Sequence, residues 1–293
     1  MTLPLRTDTM SVTNSVGMGK VTSTMLERMK RTMVILLVFL ICFFASVVGA
    51  ICGIGGGVII KPALDAFGIM GVSTISFLSG CTVLSMTTYS VVRSRLSGSS
   101  AFDKKTGLPM AIGAAVGGVV GKQLFQVVKA MSTDPDRVGA VQAACLLGVT
   151  LGTLVYTLFK SRIPTHHVTN SGLCLTIGVV LGIMSSFLGI GGGPINLVLL
   201  FYFFSMGTKA AAETSLYIIF FSQLASLIAS ILTHSVPPFS VGMLCLMVGG
   251  GIAGGICGRS VNKKLDSRAV DKLFIALMVV LILVNLYNIY RFL

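Results

Sequence analysis

"CGIGGGVIIKPAL", Cys52 to Leu64, sets four glycines and a lysine inside one of the most apolar parts of the chain, and "LGIGGGPINLVLL", Leu188 to Leu200, repeats the phrase 136 residues later. Four glycines in five residues interrupt a helix, since glycine is a poor helix former and enters backbone conformations that other residues avoid. An interruption among apolar neighbours frees N–H and C=O groups from the helical ladder, and in hydrocarbon each unsatisfied group costs several kcal/mol. Protein, water or a ligand must therefore supply partners. The short helix that follows each phrase aims its first free N–H groups and its positive dipole end at the gap, an arrangement suited to an anion. In the second copy Pro194 follows at once, where a first-turn proline fits.

The surroundings of the two phrases define the class of fold. With 54% hydrophobic residues, 11% charged residues and a mean hydropathy of +0.93, the chain has too little polar surface for a soluble domain and belongs in a bilayer. Apolar runs cover 33–51, 58–70, 72–92, 109–128, 138–159, 172–188, 194–206, 210–232, 239–257 and 269–290. Most of them reach the roughly 20 residues that cross hydrocarbon as helix; the second and seventh, each following a GIGGG, are too short to span alone. No run alternates polar with apolar residues, so the spanning element is helix and the expected fold is an all-α polytopic membrane protein. The expected location is the plasma membrane, in a bacterium the inner membrane, with the lipid bilayer as a partner.

The net charge of +13 does not point to nucleic acid. Its carriers cluster between apolar runs, as in Arg93, Arg95, Lys104 and Lys105, or Arg259, Lys263, Lys264 and Arg268, the pattern of loops that face the cytoplasm and its anionic lipid. The seven cysteines lie in or beside apolar runs without a CxxC pair, which reads as packing rather than a disulfide or metal framework. No cofactor and no metal are implied. Residues 1–32, rich in Ser, Thr and Met, read as a disordered or interfacial tail, and the apolar run after them lacks a cleavage motif and is expected to be retained.

A shift of 136 lays Gly53-Ile54-Gly55-Gly56-Gly57 on Gly189-Ile190-Gly191-Gly192-Gly193 and Gly71 on Gly207; after a one-residue slip "GAAVGGVVGK" (Gly113 to Lys122) falls on "GGIAGGICGR" (Gly250 to Arg259). This predicts two homologous five-segment repeats, 33–160 and 172–293, joined by a linker, 161–171. An odd number of crossings per repeat inverts the second copy relative to the first. Ten crossings place the basic loops 93–108, 160–171 and 259–268 on one side but Lys20, Arg28, Lys30 and Arg31 on the other. Eight crossings, with both short segments re-entrant, repair the N-terminal cluster and misplace 259–268. Ten is the favoured count, because the two breaks then approach the membrane centre from opposite faces.

Small residues in membrane helices commonly serve close packing, which is the expected role of the two later glycine phrases. The GIGGG pair is different, since a helix must break there, and Gly53, Gly55, Gly56, Gly57, Gly189, Gly191, Gly192 and Gly193 are candidate anion-binding residues. A Rossmann phosphate loop is excluded by the lack of a strand and of a downstream acid. Among intramembrane charges, functional by default, Lys61 sits near the start of the short helix and either contacts an anion or pairs with Asp65 one turn on. Lys209 and Glu213 repeat that spacing; Lys209 can snorkel to an interface, and Glu213 can carry a coupling proton or anchor Lys209. Ser79, Asn196, Thr214, Ser215 and Gln223 supply neutral donors, although a membrane Ser or Thr more often bonds its own helix. Lys122 can line the route, whereas Arg259 is expected in the loop.

The duplicated GIGGG, each copy following the first helix of a half, together with "ETSL" at Glu213 to Leu216, resembles the TauE/SafE family of membrane permeases, the sulfite exporter or toluene-sulfonate-uptake permease family. The likeness spans about 33 to 290. It implies an ion-driven permease for sulfur-containing or organic anions such as sulfite, sulfonates or sulfoacetate, in either direction. Pro62 matches the family's proline several residues after the glycines, while the second copy has Val198 there and its proline at Pro194. The first reading is thus a secondary active transporter with a small anionic substrate, a coupling proton or sodium ion, and room for a homo-oligomer. An anion channel and a non-transporting scaffold subunit are the alternatives. An intramembrane enzyme lacks any HExxH, GxSxG or His/Asp pair.

Overall fold

The computed structural model describes residues 10–96, 104–131 and 135–292. Among them are ten α-helices and no strand: α1 (Met10–Cys52), α2 (Gly57–Phe67), α3 (Val72–Leu96), α4 (Lys104–Met131), α5 (Pro135–Phe159), α6 (Ser171–Leu188), α7 (Pro194–Phe204), α8 (Thr208–Leu232), α9 (Val241–Lys264) and α10 (Ser267–Phe292). A single 3₁₀ turn, Lys160–Arg162, follows α5. Eight helices are long and apolar enough to cross a membrane. The remaining two, α2 and α7, have 11 residues each, about 16 Å of helix, and they are the two that follow the glycine phrases. The helix carrying the first span begins at Met10, within the stretch read as tail, and its apolar portion is Glu27–Cys52. Phe44, Leu124, Val155 and Leu283 point outward from the bundle, the apolar exterior that lipid requires.

The later glycine phrases form two parallel seams. A Cβ at Gly113, Gly117 or Gly121 of α4 would strike the backbone of α6 at Leu175, Val179 or Ile183; a Cβ at Gly250, Gly254 or Gly258 of α9 would crowd α1 at Phe39, Phe43 or Val47. Contact advances along both partners of each seam in step, so α4 runs parallel to α6 and α9 parallel to α1. Around these seams α3 packs on α9 and α8 on α4, α2 on α10 and α7 on α5, and the equivalent helices α3 and α8, and α5 and α10, pack on each other. All of these contacts, like the two seams, therefore join a helix of α1–α5 to one of α6–α10. Renumbering every helix by five leaves this set of partners unchanged.

Polar contacts sort the helix ends. At one end Asn262 donates to the Ile51 carbonyl at 2.5 Å, Ser94 meets Glu213, and Asp271 takes both Lys160, at 2.6 Å, and Thr208, at 3.0 Å. At the other, Thr74 donates to the Pro238 carbonyl at 3.2 Å, and Arg291 reaches the carbonyls of Asp65 and Ala66. The first end therefore collects the last turns of α1, α3, α5 and α9 and the first turns of α8 and α10. His166 and Val168 N–H groups, preceding α6, donate to the carbonyls of Tyr202 and Phe203 at the close of α7, so α7 runs back along α6.

Candidate functional site

Between α1 and α2, and again between α6 and α7, the chain leaves the helix for a few residues. Gly53 and Gly55 adopt φ of 74° and 73°, and Gly189, Gly191 and Gly192 adopt 65°, 68° and 114°, all left-handed conformations that favour glycine. The two interruptions touch each other. A Cβ on Gly55 would stand 3.2 Å from the Gly191 carbonyl, its counterpart in the second phrase, and one on Gly57 would strike the Ile190 carbonyl. On their flanks Gly53 abuts Ala212 and Gly189 abuts Ser76, residues again 136 apart. Gly56 lies beside the Ser46 hydroxyl, 2.9 Å from a Cβ built on it, and Gly193 beside Ile190. Val83 of α3 and Ile219 of α8 press on the two breaks, so in this conformation the breaks are closed on each other.

Buried polar groups surround this contact. Asn196 donates to Ser215 at 3.3 Å while its Oδ1 has no partner, and the hydroxyls of Ser46, Ser76, Ser79 and Thr214 are equally buried and unpartnered. Gln223 donates to Ser185 at 3.1 Å. A desolvated donor or acceptor without a partner costs about 1–3 kcal/mol, so these groups are free to bond a polar ligand. Other hydroxyls are spent locally: Thr82, Thr87, Ser90, Thr150 and Ser230 each bond the carbonyl four residues back.

The charged candidates divide. Lys61 is buried and bonded to Asp65 Oδ2 at 2.6 Å, and with Gln142 and Asn285 it lines a space of only about 10 Å³. The pairing with Asp65 is the partnership present, and neither residue lines the larger cavities described next. Lys209 and Glu213 do line one, a cavity of about 320 Å³ that enters the bundle from the end bearing Lys160 and Asn262 and reaches Ala50, Ala212 and Leu216, beside the first break. Glu213 meets Ser94 of α3. Arg259 lies in this cavity too, inside α9 rather than in the following loop, with its Nη1 donating to the Ser90 carbonyl at 3.0 Å. A second space, about 30 Å³, opens elsewhere among Ser76, Ser186, Gln223 and Ser226, and Lys122 lines it. Ser76, Ser90 and Ser186 carry no signal in the sequence, whereas Arg259 carries one in its alignment with Lys122.

Eight long apolar helices with an apolar exterior define a multi-pass integral membrane protein. Residues 38–285 match the sequence model of the family described as Sulfite exporter TauE/SafE, and the chain belongs to that family of membrane transporters; it is not an enzyme. It is also similar to the Probable membrane transporter protein YunE of Bacillus subtilis (strain 168), at 23% identity over 269 residues, covering 84% of this chain and 94% of the relative. No solved structure gives a significant match.

Proposed function

We propose that the protein is a secondary active transporter that carries sulfur-containing or organic anions, of the sulfite, sulfonate and sulfoacetate class, past a centre formed by its paired GIGGG breaks. The observation that carries this reading is the meeting of the two breaks at equivalent residues, Gly55 against Gly191, amid unpartnered buried donors. The helix-end contacts support an inverted relation between repeats 33–160 and 172–293, because α3 and α5 finish at the end from which their counterparts α8 and α10 start. A two-fold axis in the membrane plane would pass between the breaks, and rocking of the two symmetry-related helix groups, each drawn from both repeats, exposes the centre to each side in turn. Arg93, Arg95, Lys160, Arg162, Lys263 and Lys264 crowd the end with the wide cavity, which by the positive-inside rule faces the cytoplasm.

In this scheme the glycines allow the anion to approach the backbone, and Ser79, Asn196, Thr214, Ser215 and Gln223 donate to it. Lys209 draws it to the wide cavity, and Glu213 beside it is the acid placed to carry a coupling proton. Lys61 and Asp65 hold α2 in place. Sulfite, sulfonates and carboxylates are to be screened by thermal unfolding of the purified protein. A ligand at a hundredfold its Kd should stabilise the native state by about 2.7 kcal/mol and raise the midpoint accordingly. A rise with a sulfur oxyanion or sulfonate and none with chloride is the expected result; no rise with any of these anions contradicts the proposal.

A further inference from the structure

The two cavities are copies of one another. Adding 136 to Ala50 and Ser90 of the wide cavity gives Ser186 and Ser226 of the narrow one; subtracting it from Ala212 and Leu216 gives Ser76 and Gly80. With the one-residue slip of the glycine seams, Arg259 corresponds to Lys122. The pair differs in size by an order of magnitude, about 320 Å³ against about 30 Å³. Between the wide cavity and the breaks lies a small apolar cluster of Ala50, Val83, Met86, Leu216 and Ile219, in which Val83 and Ile219 are themselves equivalent.

Each cavity holds one of this matched pair of cations. Lys122 is 9% exposed, its ammonium lies 5.6 Å from the centre of the Phe125 ring, and it makes no ion pair among the described residues. The narrow cavity around it is otherwise lined by neutral groups. Arg259 spends one Nη on the Ser90 carbonyl, while its Nε is buried without a partner. Buried Lys122 has no counter-charge in its cavity, which is unfavourable. Arg259 is half-buried and shares its cavity with Glu213, yet a cation stands at the matching place in both copies. The fork of a guanidinium and the point charge of an ammonium both suit a small oxyanion.

We propose that Arg259 and Lys122 are equivalent oxyanion-binding residues in two alternately open vestibules, and that the structure is the state with the Arg259 vestibule open and the Lys122 vestibule collapsed. This rests on the transporter reading and assigns it a residue on each side. The anion docks on the cation of the open vestibule and passes the Val83–Ile219 constriction at the breaks. It leaves past the other cation once the two helix groups have rocked.

The test uses the full chain in liposomes of determined orientation, with radiolabelled sulfite presented from either face. Arg259→Gln should raise the half-saturating sulfite concentration about tenfold or more on the Arg259 face, the loss expected for one charge-assisted hydrogen bond, and leave the other face near wild type. Lys122→Gln should do the reverse. Arg259→Lys and Lys122→Arg, which keep the charge, should restore most of the affinity and guard against a variant that fails to fold. Wild-type transport with both Gln variants unaffected, or with each variant weakened equally from both faces, overturns this assignment and leaves the transporter reading standing. A wild-type protein that moves no sulfite, sulfonate or sulfoacetate overturns both.

Discussion

Gly53→Val and Gly189→Val are each expected to abolish transport and to destabilise the protein by roughly 2–5 kcal/mol, combining a left-handed backbone forced on a branched residue with overpacking. Gly53 has φ of 74° and no room for a Cβ, which would run into Ala212 of α8; Gly189, at 65°, would bring its Cβ to 2.7 Å from the Cβ of Ser76 on α3. The two collisions are equivalent, so the two variants should fail alike. Gly148→Ala in α5 is the comparison, because nothing lies within 4 Å of a Cβ there. Its unfolding midpoint in detergent and its transport rate should stay at wild type. If Gly53→Val matches Gly148→Ala in both measurements, the breaks are not the closely packed centre described above.

The second large effect concerns Lys61 and Asp65. Removing one member of a buried ion pair leaves an uncompensated charge and costs about 3–5 kcal/mol, whereas replacing both by apolar residues is often neutral. Asp65→Ala alone should therefore severely lower the unfolding midpoint, and Lys61→Met combined with Asp65→Leu should recover most of it. The double variant also separates the two roles open to Lys61. Recovered stability with transport retained fits a lysine that fastens α2; recovered stability without transport would place Lys61 on the anion path. The position of the pair, beside Gln142 and Asn285 and away from both vestibules, leads us to expect transport.

Much of this was legible in the chain because hydrocarbon imposes strict rules. Segment lengths identified the eight long helices and the two short ones, since a span needs a fixed number of apolar residues. The spacing in "GAAVGGVVGK" and "GGIAGGICGR" fitted helix seams, and the seams are there. Partner choice was less legible. The i+4 spacing of Lys61 and Asp65 permitted a pair but did not exclude an anion, and only the approach of α5 and α10 defines what surrounds them. Closeness to Lys263 and Lys264 suggests a loop position for Arg259, but α9 continues to Lys264, which leaves Arg259 more than a turn inside the helix. Hydroxyls were the least legible. Ser79 and Thr82 look alike in sequence, yet Thr82 bonds the Leu78 carbonyl at 2.8 Å and Ser79 bonds nothing.

The central claim, a carrier that alternates about its paired breaks, is tested most directly by counterflow. Liposomes holding the protein and unlabelled sulfite at high concentration are diluted into a trace of radiolabelled sulfite. A carrier returns to the outside with its site loaded in exchange, so the label should accumulate transiently inside above its equilibrium level and then decay. Entry of label that rises only to equilibrium, as through a continuous pore, or no entry at all would contradict the account.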